Sequence, residues 1–271
     1  MAAEQLMLEN HPWLTPLSQS RDHILRAAET GKLPLDSVTH LANTEALLAL
    51  ALIPVPADPV LHIRTAHAQA RNYLGSLADA ELPNAVPTAM GYTMTPRKAL
   101  RRVLDHLLDH LNQIEQWVLW QHDGSIPVPT DGWVGSSVTL DDDRLPLSSQ
   151  ELAAWFWRID LAVQLLAQRA SALDPEQLDW QPPSAGWTLR KILRHVASGA
   201  ILYTIWFGTA LPEPPLDRYR SSSDQVLTNV IQLITTPAQP HMILFEDDLG
   251  VFTPDQLVSY IVELERSVLT A

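Results

Sequence analysis

The sequence predicts an all-α protein built as two tandem, up-down four-helix bundles, and three observations support this. Apolar residues recur three and four positions apart, as in Leu100–Ile114 and Leu189–Ala197, which is the spacing of one helix face. Capping side chains stand before prolines, as in Thr95-Pro96, and proline is favoured at the first helical position. We find no convincing set of strands with alternating polar and apolar residues.

Eight helices are predicted, and most have a recognisable start. Capping residues open five of them: Asp58-Pro59, Thr95-Pro96, Ser148 with Glu151, Thr188, and Thr253-Pro254. The other three depend on the spacing of apolar residues alone. The predicted helices cover about 13–30, 36–53, 59–79, 96–121, 148–172, 188–208, 223–236 and 254–270.

The longest polar stretch divides these helices into two groups of four. It runs from His122 to Pro146 and contains the acidic run Asp141–Asp143. Stretches of this composition mark linkers. The sequence therefore predicts a first domain at 1–122, a linker at 123–147 and a second domain at 148–271. A short internal similarity between Arg97–Val103 and Arg190–Val196 agrees with repeated helix pairs.

Composition excludes several classes of function. The chain has 271 residues, 46% of them hydrophobic, and no cysteine, so disulfides, thiolate metal sites and a cysteine nucleophile are ruled out. Its net charge is −13, which argues against nucleic-acid binding. We interpret the cationic Arg97, Lys98, Arg101 and Arg102 as a solvated helix face. Without a secretory signal or a membrane-spanning apolar run, the expected location is cytoplasmic, with no membrane partner.

The best candidates for chemistry are histidines. His106 and His110 lie four residues apart, which places both rings on one helix face, where they can converge on a single divalent ion. His40, on the second predicted helix of the same group, is the expected third ligand. Glu45 and Asp109 are candidates to orient the rings from a second layer. The alternative is that these histidines are solvated and bind nothing.

A second geometry also remains open. If the predicted helices within 59–121 and 148–208 form one bundle, His195 would complete the site with His106 and His110 in place of His40. The long stretch between the two helix groups permits this arrangement.

Several of these segments also match a known pattern. His40 is followed by small and acidic residues up to Glu45, and His106 and His110 are followed by Gln113-Ile114. These segments resemble the second and fourth helices of the DinB/YfiT-like superfamily, a family of metal-binding four-helix bundles. The resemblance implies a divalent metal held by three histidines.

The second half carries another hallmark of that superfamily, Gly186-Trp187 ahead of a helix with His195. The helices follow the family order in both halves, so the resemblance extends over nearly the whole chain. The first half lacks the Gly-Trp pair, and the last helix, within 253–267, has no histidine pair. We therefore expect a tandem duplication whose second copy is degenerate.

The resemblance implies a metal-dependent hydrolase or thiol transferase, with a low-molecular-weight thiol as a candidate co-substrate. Zinc or nickel is the expected metal, with iron or manganese as alternatives. The competing hypothesis is a non-catalytic helical scaffold or stress-response protein that has lost metal binding. The expected assembly is a monomer with pseudo-dimeric domains or a homodimer.

Overall fold

The structure, a computed structural model, describes residues 11–51, 56, 58–75, 86–87, 93–125, 138–183, 186–208, 214–235 and 254–270. Within these residues the protein is all-α, as the sequence predicts. The helices are α1 Leu14–Glu29, α2 Leu35–Ala51, α3 Pro59–Gly75, α4 Pro96–Asp123, α5 Ser149–Ser171, α6 Pro175–Asp179, α7 Leu189–Gly208, α8 Pro215–Thr235 and α9 Pro254–Thr270. A two-residue antiparallel pairing joins β1 Val86–Pro87 to β2 Thr93–Met94, and a 3-10 turn covers Asp142–Arg144.

The chain folds into two compact units, and the second of these, Pro56–Gly208, is continuous in sequence. It contains the four long helices α3, α4, α5 and α7, with the short α6 between the last two. α3 packs along α7 and against α5, and α4 packs against α5 and α7. Each long helix turns an apolar face inward, with buried residues that include Ile63, Ala70, Leu100, Leu107, Ile159, Leu166, Ile192 and Val196. Burying such side chains contributes about 1.5–3 kcal/mol each.

The first unit combines the two ends of the chain, Met1–Val55 and Thr209–Ala271. Its helices α1, α2, α8 and α9 pack mainly as α2 on α8 and α1 on α9. Two apolar clusters fill its interior, one around Val226, Val230 and Ile261, the other around Ile24 and Leu41.

The contacts correct the predicted domain boundaries. The domains predicted at 1–122 and 148–271 each joined four consecutive helices, whereas the helices α3 and α4 pack with α5 and α7. The described end of the predicted 123–147 linker also belongs to the second unit, where Asp143 is buried. An apolar helix face indicates that another part of the protein packs on it. The spacing of the apolar residues does not indicate which helix that partner is.

Most predicted helix starts are confirmed. Thr95 accepts a hydrogen bond from the Lys98 backbone N–H, and Ser148 forms a capping box with Glu151. The cap predicted at Thr253 lies outside the described residues. α8 begins at Pro215, earlier than the predicted residue 223, because a proline suits the first helical position.

The interpretation of the basic cluster as a solvated face is wrong. Lys98 and Arg102 are fully buried, and the Lys98 ammonium donates a hydrogen bond to Thr139 Oγ1 at 2.9 Å. Residues after 137 pack on the start of α4 and contact Lys98, whereas the Arg102 guanidinium lies 5.4 Å from the centre of the Tyr203 ring of α7. Among the described helices, none combines the length and apolar content that crossing a membrane requires.

Candidate metal centre

Two helices of the second unit bring three histidines together. His106 and His110 lie one turn apart on α4, and His195 lies on α7. Both helices have capped starts, since the Thr188 hydroxyl accepts a hydrogen bond from the Lys191 backbone N–H at 3.2 Å. The three residues therefore stand on regular, packed helices, which hold side chains more precisely than loops do.

The rings form a tight cluster. One ligand atom from each ring lies within 4.8 Å of the other two. The ring centroids are 4.6 Å apart for His106 and His110, 4.7 Å for His106 and His195, and 5.0 Å for His110 and His195, all edge to face. The Nε2 atoms of His106 and His195 are 2.9 Å apart.

This donor set fits a divalent transition-metal ion. Nitrogen ligands at about 2.0–2.1 Å from a tetrahedral ion are roughly 3.3 Å apart. The 2.9 Å between the Nε2 atoms of His106 and His195 is within a few tenths of an ångström of this spacing, and the separations across the whole cluster are within 4.8 Å. Burial, followed by the nearby His110 and His195, holds the pKa of His106 well below its usual range. His106 is therefore neutral near pH 7, and no proton competes with the metal for its lone pair.

A second layer orients His110. Its Nδ1 lies 2.6 Å from the Gln113 side-chain oxygen, which can only accept a hydrogen bond. The proton therefore belongs on Nδ1, which leaves Nε2 as the unprotonated nitrogen of the ring. Such outer partners fix the tautomer and the ring orientation of metal-binding histidines.

Gly199 makes room for His106. It lies one turn after His195 on α7, and a Cβ atom at this position would be 2.4 Å from His106 Cε1 and 2.6 Å from its Nδ1. Any larger residue would have to displace the ring.

Tryptophans support the His195 side of the cluster. The Trp117 indole N–H donates to the Trp187 carbonyl at 2.9 Å, and this contact ties the Gly186-Trp187 segment to α4. The Trp187 ring lies edge to face with His195, at 5.1 Å between centroids. His195 is half-buried, whereas His106 and His110 are buried, so the cluster is accessible from the side of His195.

The site differs from the first prediction at its third ligand. His40 lies on α2 in the first unit and is exposed, so the alternative that pairs His195 with His106 and His110 describes the observed cluster. The predicted second-layer residue Glu45 also lies in the first unit, buried beside Glu265 and Tyr219. Asp109 is half-buried on α4, and Gln113 orients His110 instead.

Sequence analysis missed two residues at this site. The role of Gly199 could have been found, because an isolated glycine inside a helical pattern often marks a close approach. His67 on α3 also belongs to the buried surroundings, since its charge would act on His106. No motif marks His67 in the sequence.

Comparison with known proteins gives one family. Residues 158–268 match the family model of the DinB superfamily, a stretch that begins within α5 and ends within α9. Searches of curated proteins and of solved structures gave no significant match. Over these residues the chain is similar to the DinB superfamily, whose fold is a helical bundle.

Proposed function

We propose that the protein is a DinB-like, metal-dependent enzyme that binds one divalent ion through His106, His110 and His195. The observation that carries the proposal is the clustering of three imidazoles, two of them buried, within 4.8 Å. Three imidazole nitrogens leave one coordination position of a tetrahedral ion open, which is the pattern of catalytic rather than structural sites.

The proposed chemistry is hydrolysis or thiol transfer. A divalent ion in such a site acidifies a water or thiol, or polarises a substrate oxygen. The surrounding residues would hold the three histidines in position. Gln113 fixes the tautomer of His110, and Gly199 leaves space for the His106 ring. Trp187 packs against His195. A low-molecular-weight thiol is the proposed co-substrate, and its approach is from the half-buried side of His195.

The nitrogen donors set the choice of metal. Imidazoles suit zinc, nickel and iron, while the absence of cysteine removes the soft ligands that favour copper(I) or iron–sulfur clusters. We propose zinc or nickel as the resident ion, with iron or manganese as alternatives.

Metal analysis of matched variants tests the proposal. Purified wild-type protein, reconstituted with zinc or nickel and desalted, should retain about one ion per chain. His195→Ala should lose the ion, whereas His40→Ala, an exposed histidine of the first unit, should keep it. If wild-type protein retains no metal, or if His40→Ala loses metal while His195→Ala keeps it, the proposed site is wrong.

The scaffold hypothesis has support in the first unit alone. Among its described residues no group of three metal-binding side chains comes together, and buried Glu45 and Glu265 face each other instead. We therefore propose a structural role for the first unit and chemistry for the second.

A further inference from the structure

A buried histidine outside the cluster lies near the proposed metal site. His67 is on the inward face of α3, with Ile63, Ala66 and Ala70. The helix packs along α7, which carries His195. His67 is buried, and among the described residues neither of its ring nitrogens has a hydrogen-bond partner.

This arrangement costs stability. A neutral imidazole always carries one N–H group, and a buried donor without a partner lowers the stability of the fold. Such groups in folded proteins call for an explanation, and a functional role is a common one. The ring is nevertheless held in the interior at a position where its charge would act on His106.

His67 lies outside the cluster of the three proposed ligands. It is not part of the group of side chains whose ligand atoms lie within 4.8 Å of one another. A side chain that hydrogen-bonds to an atom bound at the open coordination position lies about 2.7–3.2 Å from that atom and does not touch the ion. A buried neighbour of His106 that is not one of the clustered ligands suits this position.

The charge state of His67 decides what it can do there. Burial, followed by the nearby His62, lowers the pKa of His67 to about 3. The ring cannot hold an additional proton near pH 7, which rules out a role as a general base. A neutral imidazole can still donate its single N–H group.

We infer that His67 is a positioning residue that donates a hydrogen bond from its ring N–H to an anionic atom in the open coordination position of the His106–His110–His195 site. The inference rests on the proposed function, because it requires a metal in that site. It assigns the ligand class: anionic donors, such as a thiolate or a carboxylate, bind more tightly than neutral ones of similar size.

The test uses the full chain loaded with cobalt(II), whose visible spectrum reports the ligands, and azide as a small anionic probe. Azide titration at pH 7.5 should give an affinity about tenfold weaker in His67→Phe than in wild type, as expected for losing one hydrogen bond to a charged acceptor. His67→Asn, whose side-chain amide also donates a hydrogen bond, should recover part of the azide affinity. This variant keeps the hypothesis testable if His67→Phe does not fold. His62→Phe, a buried histidine of the same helix, is the matched control and should bind azide like wild type.

The outcomes separate the two proposals. If wild-type protein takes up no cobalt, the proposed function fails. If cobalt binds normally but His67→Phe and wild type bind azide equally, the role of His67 is wrong while the metal site stands. Loss of cobalt from a folded His67→Phe protein would also overturn the inference, because it would make His67 a ligand.

Discussion

At the scale of single residues, the candidate site depends on one position without a side chain. Gly199 lies against the His106 ring, and this ring is the end of a side chain, which can move more easily than backbone can. A methyl group at position 199 would therefore displace the ring without moving α7. The effect should fall on metal binding more than on folding.

We expect Gly199→Ala to lower metal affinity at least tenfold, because losing one of three nitrogen ligands removes much of the binding energy. The melting temperature of the metal-free protein should change little, since alanine also favours the helix by about 1 kcal/mol over glycine. Competition with a chromophoric chelator would measure the affinity. Gly75→Ala is the control, because its nearest contact is 4.0 Å away; equal affinities in both variants would contradict the prediction.

Residue spacing predicted one part of the site and left the other undecided. His106 and His110 share a helix, and a four-residue spacing fixes their relation before any packing is known. The third histidine of the cluster comes from another helix, and the choice between His40 and His195 depended on which helix pairs pack together. That choice is a long-range property, and residue types alone do not determine it.

At the scale of elements, α4 is anchored at its start by a buried acid. Asp143 is almost fully buried and receives two hydrogen bonds from Arg101, each 2.7 Å long, and one from the Leu140 backbone N–H at 2.8 Å. The Thr95 hydroxyl in turn donates to the Asp143 carbonyl at 2.6 Å. This network holds residues 138–147 against the helix that carries His106 and His110.

Asp143→Ala should lower the free energy of unfolding at pH 7 by about 1–3 kcal/mol, as expected for hydrogen bonds to a charged group. Burial alone would raise the pKa of Asp143, but the Arg101 hydrogen bonds prevail and lower it from the usual 3.8. Because the pKa of Asp143 is lower in the folded than in the unfolded state, its carboxylate stabilises the fold above pH 3.8. This stabilisation is lost as the pH falls through the folded-state pKa.

Urea unfolding of wild type and Asp143→Ala between pH 7 and pH 3 would measure this dependence. The difference in stability should be constant down to about pH 5 and shrink below about pH 4. Asp105→Asn is the control, since Asp105 is 38% exposed and its ion pairs with Arg101, at 3.1 Å, and with Arg102, at 3.9 Å, should contribute less than about 1 kcal/mol. A difference that grows toward low pH would contradict the assignment.

Local signals predicted the elements well, for physical reasons. Capping at Thr95, Ser148 and Thr188 involves residues three positions apart, so the sequence contains both partners of each contact. The burial of Lys98 and Arg102 could not be predicted in this way. Lys98 contacts Thr139, about forty positions later, in a stretch that its composition marked as a linker. Arg102 lies against Tyr203, about a hundred positions later.

At the scale of the whole molecule, the stretch that matches the family model and the two compact units have different boundaries in the sequence. The DinB match at 158–268 covers α5, α7, α8 and α9 in sequence order, yet α8 and α9 belong to the first unit. The second unit thus joins the consecutive helix pairs α3–α4 and α5–α7, whereas the first unit joins the pairs α1–α2 and α8–α9 from the two ends of the chain. Two tandem bundles that had exchanged their second helix pairs would have this order, and the exchange would explain why His195 rather than His40 lies beside His106 and His110.

The continuous course of the second unit leads to the last prediction. Residues 56–208 contain all four helices of that bundle and all three clustered histidines, so this fragment should fold alone, with a cooperative melting transition and about one bound metal ion. The matched fragment 1–122 holds His40, His106 and His110 but lacks α7, and it should bind metal far more weakly. Circular dichroism and metal analysis of both fragments would decide. Stable metal binding by 1–122 but not by 56–208 would mean that the bundles consist of consecutive helices and that His40 is the third ligand.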